Sequence, residues 1–237
     1  MDRWKWNLYR LSLLLFTLFL ADGALLGSAL ALVRNRYSQD VFAPAVQKAE
    51  DLPVRQIALT FDDGPHKSCT PELLDGLKRR GVKATFFLMG ENIAGKEEIV
   101  LRMQNEGHLI GNHSYRHIQM TKEGEDEACS AVEKTEQLIT SITGSRPEYL
   151  RPPYGAWNEE LECRVNLTTV LWTVDSLDWK LRNTERIVRR VEKSVKSGDI
   201  ILMHDIFPTS VEAALRIVDD LQKEGYEFVT VEELLID

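Results

Sequence analysis

The chain has 237 residues, of which 43% are hydrophobic and 28% are charged, and its formal net charge is −8. A chain of this length and composition is predicted to fold around a sizeable core, as one large domain or two small ones, and not to be disordered. The acidic balance argues against a nucleic-acid-binding protein, because such a protein needs a basic face to displace counterions from phosphate.

The first 36 residues differ from the rest in charge and hydropathy. They contain five basic and two acidic residues, which leaves 24 basic and 35 acidic residues in the remainder. Leu11 to Val33 form an apolar stretch whose one ionisable residue is Asp22. In a helix this stretch would be about 34 Å long, which is enough to cross the hydrocarbon core of a bilayer. The sequence therefore predicts an N-terminal apolar helix that precedes the folded domain.

Two interpretations of this apolar helix stay open. Its length, together with Arg34 and Arg36 directly after it, favours an uncleaved transmembrane anchor with a cytoplasmic N-terminus. The small-x-small sequence at residues 29–31 instead allows a cleaved signal peptide and a secreted protein. Both interpretations place the rest of the chain outside the membrane. We expect an anchor or signal peptide over residues 1–33, a polar stalk over 34–54 and one domain over 55–237.

Short apolar runs alternate with amphipathic stretches from residue 56 onward. Thr70 is predicted to be the N-cap of the first helix, and Gly81 is predicted to end that helix. Strands that alternate with helices indicate an α/β fold with a parallel sheet, most naturally closed into a barrel of about seven strands. Strands are predicted at Gln56–Phe61, Lys83–Met89, Leu109–Asn112, Tyr149–Leu150, Thr168–Val174, Asp199–Met203 and Phe228–Val231, and helices at Pro71–Arg80, Glu97–Asn105, within Gly124–Thr143, at Thr184–Lys196 and at Ser210–Glu224.

Unusual polar residues gather where the predicted strands end. In a parallel barrel the carboxyl ends of all strands share one face, which is where active sites are built. Taken singly, each cluster has an ordinary structural explanation, but five clusters at one face point to a single site. The clusters are Asp62-Asp63-Gly64-Pro65, His113-Ser114-Tyr115-Arg116-His117, Arg151-Pro152-Pro153-Tyr154-Gly155, Asp175-Ser176-Leu177-Asp178-Trp179 and His204-Asp205.

The residue types in these clusters are consistent with a metal site that has an open position for water. His113 and His117 are four residues apart, so one helical turn would bring both imidazoles to one side. A neighbouring carboxylate would complete a set of two histidines and one carboxylate. Successive side chains alternate along a strand, so we expect Asp62 and Asp63 to point in different directions. One aspartate could then bind the metal while the other acts on water.

Other histidines, aromatic residues and cysteines are predicted to have structural roles. His108 precedes a strand in a Gly-His turn, His66 is expected to be partly exposed, and Trp172 is expected to lie in the core. The three cysteines are too few for a disulfide framework, and the sequence is compatible with one disulfide or with three thiols. The cysteines are Cys69, Cys129 and Cys163.

At the five clusters the sequence closely resembles the polysaccharide deacetylases of the NodB-homology type, carbohydrate esterase family 4. The matching segments follow the order of the family motifs and extend over about residues 55–235. This resemblance implies a distorted (β/α) barrel and a divalent metal, usually zinc. The segments are Thr60-Phe61-Asp62-Asp63-Gly64-Pro65, His113-Ser114-x-x-His117, Arg151-Pro152-Pro153-Tyr154-Gly155, Asp175-x-x-Asp178-Trp179 and Leu202-x-His204.

The resemblance also implies a role for each matching residue. The metal ligands would be Asp63, His113 and His117. Asp62 would be the general base, held by Arg151, and His204 would be the general acid, oriented by Asp178. The backbone N–H of Tyr154 would contribute to an oxyanion hole, and Trp179 and Leu202 would line the pocket for the acetyl methyl group. Asp175 matches the motif, but no role is assigned to it.

These observations predict a zinc-dependent enzyme that removes N-acetyl groups from amino sugars of an extracellular glycan, most naturally peptidoglycan. The predicted partners are this glycan and, through the apolar helix, the membrane; no nucleic acid is expected. Two alternatives stay open, which are an O-acetyl esterase that uses the same metal machinery and a membrane-tethered glycan-binding protein without catalysis.

Overall fold

The computed structural model of the protein describes residues 54–157 and 166–236. The predicted membrane anchor or signal peptide and almost all of the stalk lie outside these residues. None of the helices in the described part of the chain is long and apolar enough to cross a membrane. The predicted domain from residue 55 onward is the part that the structure describes, and it is an α/β fold built around one parallel sheet.

The described residues of this domain form eight strands and seven α-helices, with two short 3-10 helices at Gly90–Asn92 and Pro153–Gly155. The strands are β1 (Arg55–Asp62), β2 (Thr85–Leu88), β3 (Leu109–Asn112), β4 (Tyr149–Leu150), β5 (Thr168–Thr169), β6 (Val174–Asp175), β7 (Ile200–His204) and β8 (Tyr226–Val229). The helices are α1 (Cys69–Arg80), α2 (Glu97–Asn105), α3 (Glu125–Thr143), α4 (Asp178–Leu181), α5 (Thr184–Ser194), α6 (Pro208–Lys223) and α7 (Val231–Ile236).

The sheet is parallel throughout, in the order β5-β4-β3-β2-β1-β7-β6. Strand β7 lies along one edge of β1, and along the other edge β8 pairs with the first half of β1 and β2 with the second half. The carboxyl ends of β1 and β7 are in register, so that Asp62 lies beside His204. Two of the predicted polar clusters therefore lie side by side at this end of the sheet.

Residues of β1 alternate between two environments. Ile57, Leu59 and Phe61 are fully buried in the main core, together with apolar residues of the surrounding helices. Ala58 belongs to a separate cluster inside the curved sheet, and Thr60 and Asp62 share its face because side chains alternate along a strand. The inner face thus changes from apolar to polar toward the carboxyl end of the strand.

The stretch that was predicted to form one strand at Thr168–Val174 is divided in the structure. β5 pairs with β4, β6 pairs with β7, and the chain crosses between these two neighbours over residues 170–173. The guanidinium of Arg151 takes the place of a neighbouring strand here, since it donates to the carbonyl oxygens of Val170 and Leu171, each at 3.2 Å. The predicted barrel is therefore distorted, and no β5–β6 pairing joins its ends within the described residues.

The start of α1 also differs from its prediction, whereas its end is confirmed. Gly81 ends the helix in the left-handed conformation, with a φ of 66°. Thr70 is inside the helix and not at its N-cap. The cap is supplied instead by His66, whose Nδ1 lies 3.1 Å from the backbone nitrogen of Cys69 and accepts its hydrogen. His66 is half-buried and structural, which agrees with its predicted character.

His108 is buried between helix α2 and the sheet, as expected for a structural histidine. Its Nδ1 accepts a hydrogen bond from the backbone N–H of Ala84 at 3.1 Å, and its ring meets Phe86 edge-on. Burial first, and then the positive charges of Lys83 and Arg102, lower the pKa of His108 to about 4, while Glu106 acts in the opposite direction. The folded state therefore holds a neutral imidazole.

We expect this histidine to weaken the fold as the pH falls. The folded-state pKa lies below the ordinary value, so protonation favours the unfolded chain between pH 6.5 and about 4. Relative to a His108→Gln variant, the parent should lose about 2–3 kcal/mol of unfolding free energy over this interval. Urea unfolding of both proteins at several pH values measures the difference between their free energies of unfolding. Titratable groups that both proteins share contribute equally and do not affect this difference. A difference that does not depend on pH would contradict the prediction.

Candidate active site

A cavity of about 400 Å³ opens at the carboxyl ends of the strands. Every polar cluster singled out in the sequence contributes to it or lies directly behind it. Its walls combine carboxylates, imidazoles and aromatic rings, which is the composition expected of a site for hydrolysis of a polar substrate. The lining residues are Asp62, Asp63, His113, His117, Tyr154, Trp172, Asp175, Trp179, Leu202 and His204.

Asp63, His113 and His117 form a cluster that can hold a metal ion. Asp63 Oδ1 lies 3.5 Å from His113 Nε2 and 3.6 Å from His117 Nε2. Tetrahedral zinc ligands about 2.1 Å from the ion are about 3.4 Å from one another, so these separations suit such an ion. Asp63 Oδ1 is buried and has no hydrogen-bond partner among the described residues. A cation between the three side chains would supply the missing partner.

The two histidines are prepared to act as ligands. His113 Nδ1 lies 2.7 Å from the carbonyl oxygen of Arg151 and donates to it, which leaves Nε2 with its lone pair toward Asp63. Burial, and then the nearby His113, lower the pKa of His117, so that its neutral form is favoured. A metal binds the neutral form of imidazole.

The loop that carries the histidines is not helical, contrary to the prediction of a helical turn. Ser114 and His117 both have positive φ values, 61° and 53°. These left-handed residues bend the chain so that the His113 and His117 rings meet edge-on, with centroids 5.0 Å apart. The spacing in the sequence predicted the cluster correctly, but backbone strain and not helical periodicity produces it.

Asp63 is turned away from the strand by its backbone conformation. Its φ is 69°, and Asn92 Nδ2 donates to its carbonyl oxygen at 2.8 Å. The following Gly64 leaves room for Asp205, because a Cβ at position 64 would lie 2.6 Å from an Asp205 carboxylate oxygen. Asp62 and Asp63 therefore have different partners, and the positive φ of Asp63, which lies beyond the end of β1, produces this difference instead of the predicted alternation along the strand.

Asp62 lies at the end of β1 and contacts a buried arginine. Arg151 is fully buried, and its Nη1 donates to Asp62 Oδ1 at 2.9 Å and to Thr60 Oγ1 at 2.7 Å. Burial lowers the pKa of the guanidinium, and the charge of Asp62 opposes that change. The second oxygen of Asp62 lies 3.8 Å from His113 Nε2, so the carboxylate borders the metal cluster.

His204 is held by Asp178 on the opposite side of the cavity. Asp178 is fully buried, and its Oδ1 lies 2.8 Å from His204 Nδ1, while its Oδ2 accepts the backbone N–H of His204 at 2.8 Å. Burial opposes the charge on His204, but the hydrogen bond and the negative charge of Asp178 raise the pKa of this histidine to about 9. His204 Nε2 points to the cluster, 3.9 Å from Asp63 Oδ2.

The remaining wall is formed by apolar and aromatic residues. Leu202 is buried beside the cavity, whereas Tyr154 and Trp179 are 66% and 49% exposed at its rim. Tyr154 has a φ of 61°, and its backbone N–H forms no hydrogen bond with the described residues. Trp172 was predicted to be a core residue; it packs on the inner cluster but also lines the cavity. Asp175 lines the cavity too, and its Oδ1 accepts the backbone N–H of Leu177.

Three residues that support the site had no role in the sequence analysis. Thr60 connects Arg151 to β7, since its hydroxyl also donates to the carbonyl of Ile201. Asn92 lies in a 3-10 helix that the sequence analysis did not predict, and its side chain donates to the carbonyl oxygen of Asp63. Asp205 is fully buried and accepts a hydrogen bond from Thr70, and burial raises its pKa to about 7. Its place directly after His204 was visible, but its burial was not.

Comparison with known proteins gives matches over most of the chain. A family model described as polysaccharide deacetylase matches residues 49–170. The chain is 41% identical over 203 residues to the peptidoglycan-N-acetylglucosamine deacetylase PgdA of Listeria monocytogenes, which covers 85% of this chain and 43% of that protein. It is 43% identical over 178 residues to the peptidoglycan-N-acetylmuramic acid deacetylase PdaC of Bacillus subtilis, and this match covers 75% of this chain and 38% of that protein.

The structural matches agree with the sequence matches. The solved structure of PdaC from Bacillus subtilis superimposes with a TM-score of 0.75 at 43% identity, covering 76% of this chain and 89% of that chain. A family 4 acetyl xylan esterase from Clostridium thermocellum, in complex with a cobalt ion, gives a TM-score of 0.72 at 35% identity over 76% and 90% of the chains. The chain spans about two fifths of the full length of PgdA and PdaC.

Proposed function

This chain belongs to the polysaccharide deacetylase family, and from that premise we propose that it is a metal-dependent hydrolase that removes N-acetyl groups from peptidoglycan amino sugars. The observation that carries the proposal is the arrangement around Asp63, His113 and His117. A paired carboxylate, Asp62, lies on one side of this cluster, and a paired imidazole, His204, lies on the other. The two relatives named above act on peptidoglycan, which supports the choice of substrate.

We propose that Asp63, His113 and His117 hold a divalent metal, and zinc is the ion that two imidazoles and a carboxylate favour. When bound, such an ion would polarise the acetyl carbonyl and lower the pKa of a water molecule. The orphaned Oδ1 of Asp63 and the spacing of the three side chains support this assignment.

Asp62 is suited to accept the proton of the attacking water. As the water oxygen forms a bond to the carbonyl carbon, one O–H bond breaks and its proton moves to the free oxygen of Asp62. Arg151 holds the other oxygen and keeps the carboxylate oriented toward the cavity. In this orientation the carboxylate can act as a general base.

The negative charge that develops on the carbonyl oxygen needs a donor. We propose that the backbone N–H of Tyr154 supplies it, because its left-handed conformation leaves that group without a partner among the described residues. Leu202 and Trp179 would receive the acetyl methyl group beside it.

His204 is suited to protonate the leaving nitrogen. As the carbon–nitrogen bond breaks, the electron pair stays on nitrogen, which is strongly basic and has to accept a proton. Asp178 fixes the imidazole and favours its charged form, so that the proton on Nε2 is available in the cavity. Acetate and a glycan with a free amino group are the products.

We also propose that the domain acts outside the cell membrane, either anchored by the apolar stretch at residues 11–33 or secreted. An enzyme tethered there would face the wall polymer directly. This placement rests on the sequence pattern alone.

The defining experiment measures acetate released from N-acetylated peptidoglycan by the metal-loaded protein. We expect release that a chelator lowers by about 100-fold or more and that added zinc restores, because the metal lowers the activation barrier by several kcal/mol. No acetate from peptidoglycan or from chitin oligomers would exclude the proposed activity.

The same assay on acetylated xylan tests the second candidate, an O-acetyl esterase. The similarity to an acetyl xylan esterase favours including this arm. Faster acetate release from the ester polymer than from peptidoglycan, in kcat/KM, would favour esterase function. Glycan binding without acetate release from any polymer would instead indicate a non-catalytic binding protein.

A further inference from the structure

A second groove, of about 670 Å³, shares a wall with the catalytic cavity. The shared wall is the four-residue helix α4 and the residue before it. Leu177 and Leu181 line the groove, whereas Trp179, which lies between them in the chain, lines the catalytic cavity. A polymer that enters the cavity can therefore continue into the groove by passing over α4.

The opposite wall of the groove is a stripe of four cations on α5. Arg186, Arg189, Arg190 and Lys193 line it, and all four are exposed. Their spacing of three and four residues places them on one face of the helix. None of the four has an ion-pair partner among the described residues.

The acidic residues of the same helix do not neutralise this stripe. Glu185 pairs with Arg216 of α6. Glu192 interacts with Asp220 and Arg216 on that helix. Like charges three and four residues apart destabilise a helix, and the domain as a whole is acidic. A row of unpaired cations in an acidic domain therefore indicates a binding surface for anions.

The stripe is also connected to the catalytic cavity. Arg190 Nε donates to the backbone carbonyl of Asp175 at 2.7 Å, and the Asp175 side chain lines the cavity. Asp175 in turn accepts the N–H of Leu177 at 2.8 Å, at the start of the shared wall. Arg190 thus joins this face of α5 to the wall of the catalytic cavity.

We infer that this groove binds anionic groups of the same polymer strand whose acetyl group occupies the catalytic cavity. The inference rests on the proposed function and deepens it, because it specifies a carboxylate- or phosphate-bearing glycan as the preferred substrate over a neutral one. Guanidinium groups bind carboxylate and phosphate through paired hydrogen bonds, and the two leucines leave room for the uncharged part of the strand. The wall shared with the catalytic cavity favours a glycan strand over a membrane surface.

The test is a triple substitution, Arg186→Gln with Arg189→Gln and Lys193→Gln, in the full chain. Arg190 is retained because it supports Asp175. Co-sedimentation with insoluble peptidoglycan is measured in an Asp62→Asn background, so that binding does not depend on turnover. We expect the dissociation constant to rise about tenfold, and 0.5 M salt to weaken binding of the parent much more than that of the variant. In the active protein, the ratio of kcat/KM on peptidoglycan to kcat/KM on chitin oligomers should fall about tenfold as well.

Two controls separate the stripe from general charge. Arg79→Gln with Lys122→Gln removes exposed cations elsewhere and should bind like the parent. Arg186→Lys with Arg189→Lys keeps the charge and should retain most of the binding. Peptidoglycan that hydrofluoric acid has stripped of phosphodiester-linked polymers identifies the anion. If the parent no longer binds it, the groove recognises phosphate; if the parent still binds it, the groove recognises carboxylate. Both results support binding in the groove.

Three outcomes would act against one of the proposals. Unaltered binding of the triple variant to peptidoglycan would overturn the inference. The inference would also be overturned if the triple variant lost binding to phosphatidylglycerol vesicles but kept its binding to peptidoglycan. That result would assign the stripe to a membrane surface. Charge-dependent wall binding without acetate release by the metal-loaded parent would support the groove and reject the proposed activity.

Discussion

Replacing Arg151 with methionine is expected to lower the free energy of unfolding by about 3–5 kcal/mol and to abolish measurable deacetylation. The fully buried guanidinium bonds to Asp62, Thr60 and the carbonyl oxygens of Val170 and Leu171. Without it, Asp62 is a buried carboxylate without its counterion, and two carbonyl groups lose their donor. Chemical denaturation and acetate release measure the two effects.

The matched control is Arg146→Met. This arginine pairs with Glu136 on the surface and is 49% exposed, so its loss should cost less than about 1 kcal/mol. Arg151→Lys serves as the second variant if the methionine protein does not fold; it retains the charge but cannot reach all four acceptors. Adding Asp62→Asn to Arg151→Met should recover part of the lost stability, because the orphaned charge is removed. A loss no larger than that of Arg146→Met would contradict the role given to the buried pair.

Replacing His204 with alanine is expected to lower kcat for N-acetylated peptidoglycan by about 10²–10⁴-fold. The imidazole lies opposite Asp62, and Asp178 keeps it oriented and charged. The deficit should be much smaller on 4-nitrophenyl acetate, since its leaving group departs without a proton. Steady-state kinetics on both substrates measure the contrast. Equal losses on the amide and the activated ester would rule out proton donation to the leaving group.

Asp178→Asn tests separately how Asp178 affects the protonation of His204. The imidazole remains, but the loss of the negative charge lets burial lower the pKa of His204. An acid is active while protonated, so activity falls as the pH rises through this pKa. The alkaline limb of the pH–rate profile should therefore move to lower pH in the variant, whereas a purely structural role for Asp178 would leave its position unchanged.

The sequence predicted the site better than the path of the chain around it. Alternation along β1 places Asp62 on the inner face, and the parallel sheet brings the five clusters together, so local patterns were sufficient for both. The break in residues 168–174 was not predictable, because those residues have strong strand propensity. It is the Arg151 side chain, distant in sequence, that replaces a neighbouring strand there.

The support around the site was missed for a related reason. Asn92, Asp205 and Thr70 act through contacts between segments that are far apart in the chain, and a single sequence does not show such contacts. The cations of α5 were visible as charges, but only the structure shows that Glu185 and Glu192 face α6 and leave them unpaired. These features depend on pairs of residues that are far apart in the chain, and the periodicity of a sequence contains no information about such pairs.

The position of β1 has a consequence for how the protein is made. The bonds from Thr60 to Ile201 of β7, and from Arg55 to Glu224 just before β8, join residues 141 and 169 positions apart. During synthesis, which proceeds from the N-terminus, β1 emerges long before β7 or β8. The pairing of β1 with β7 and β8 therefore requires the last strands to have been synthesised, so that completion of the sheet and assembly of the catalytic groups become one late folding event.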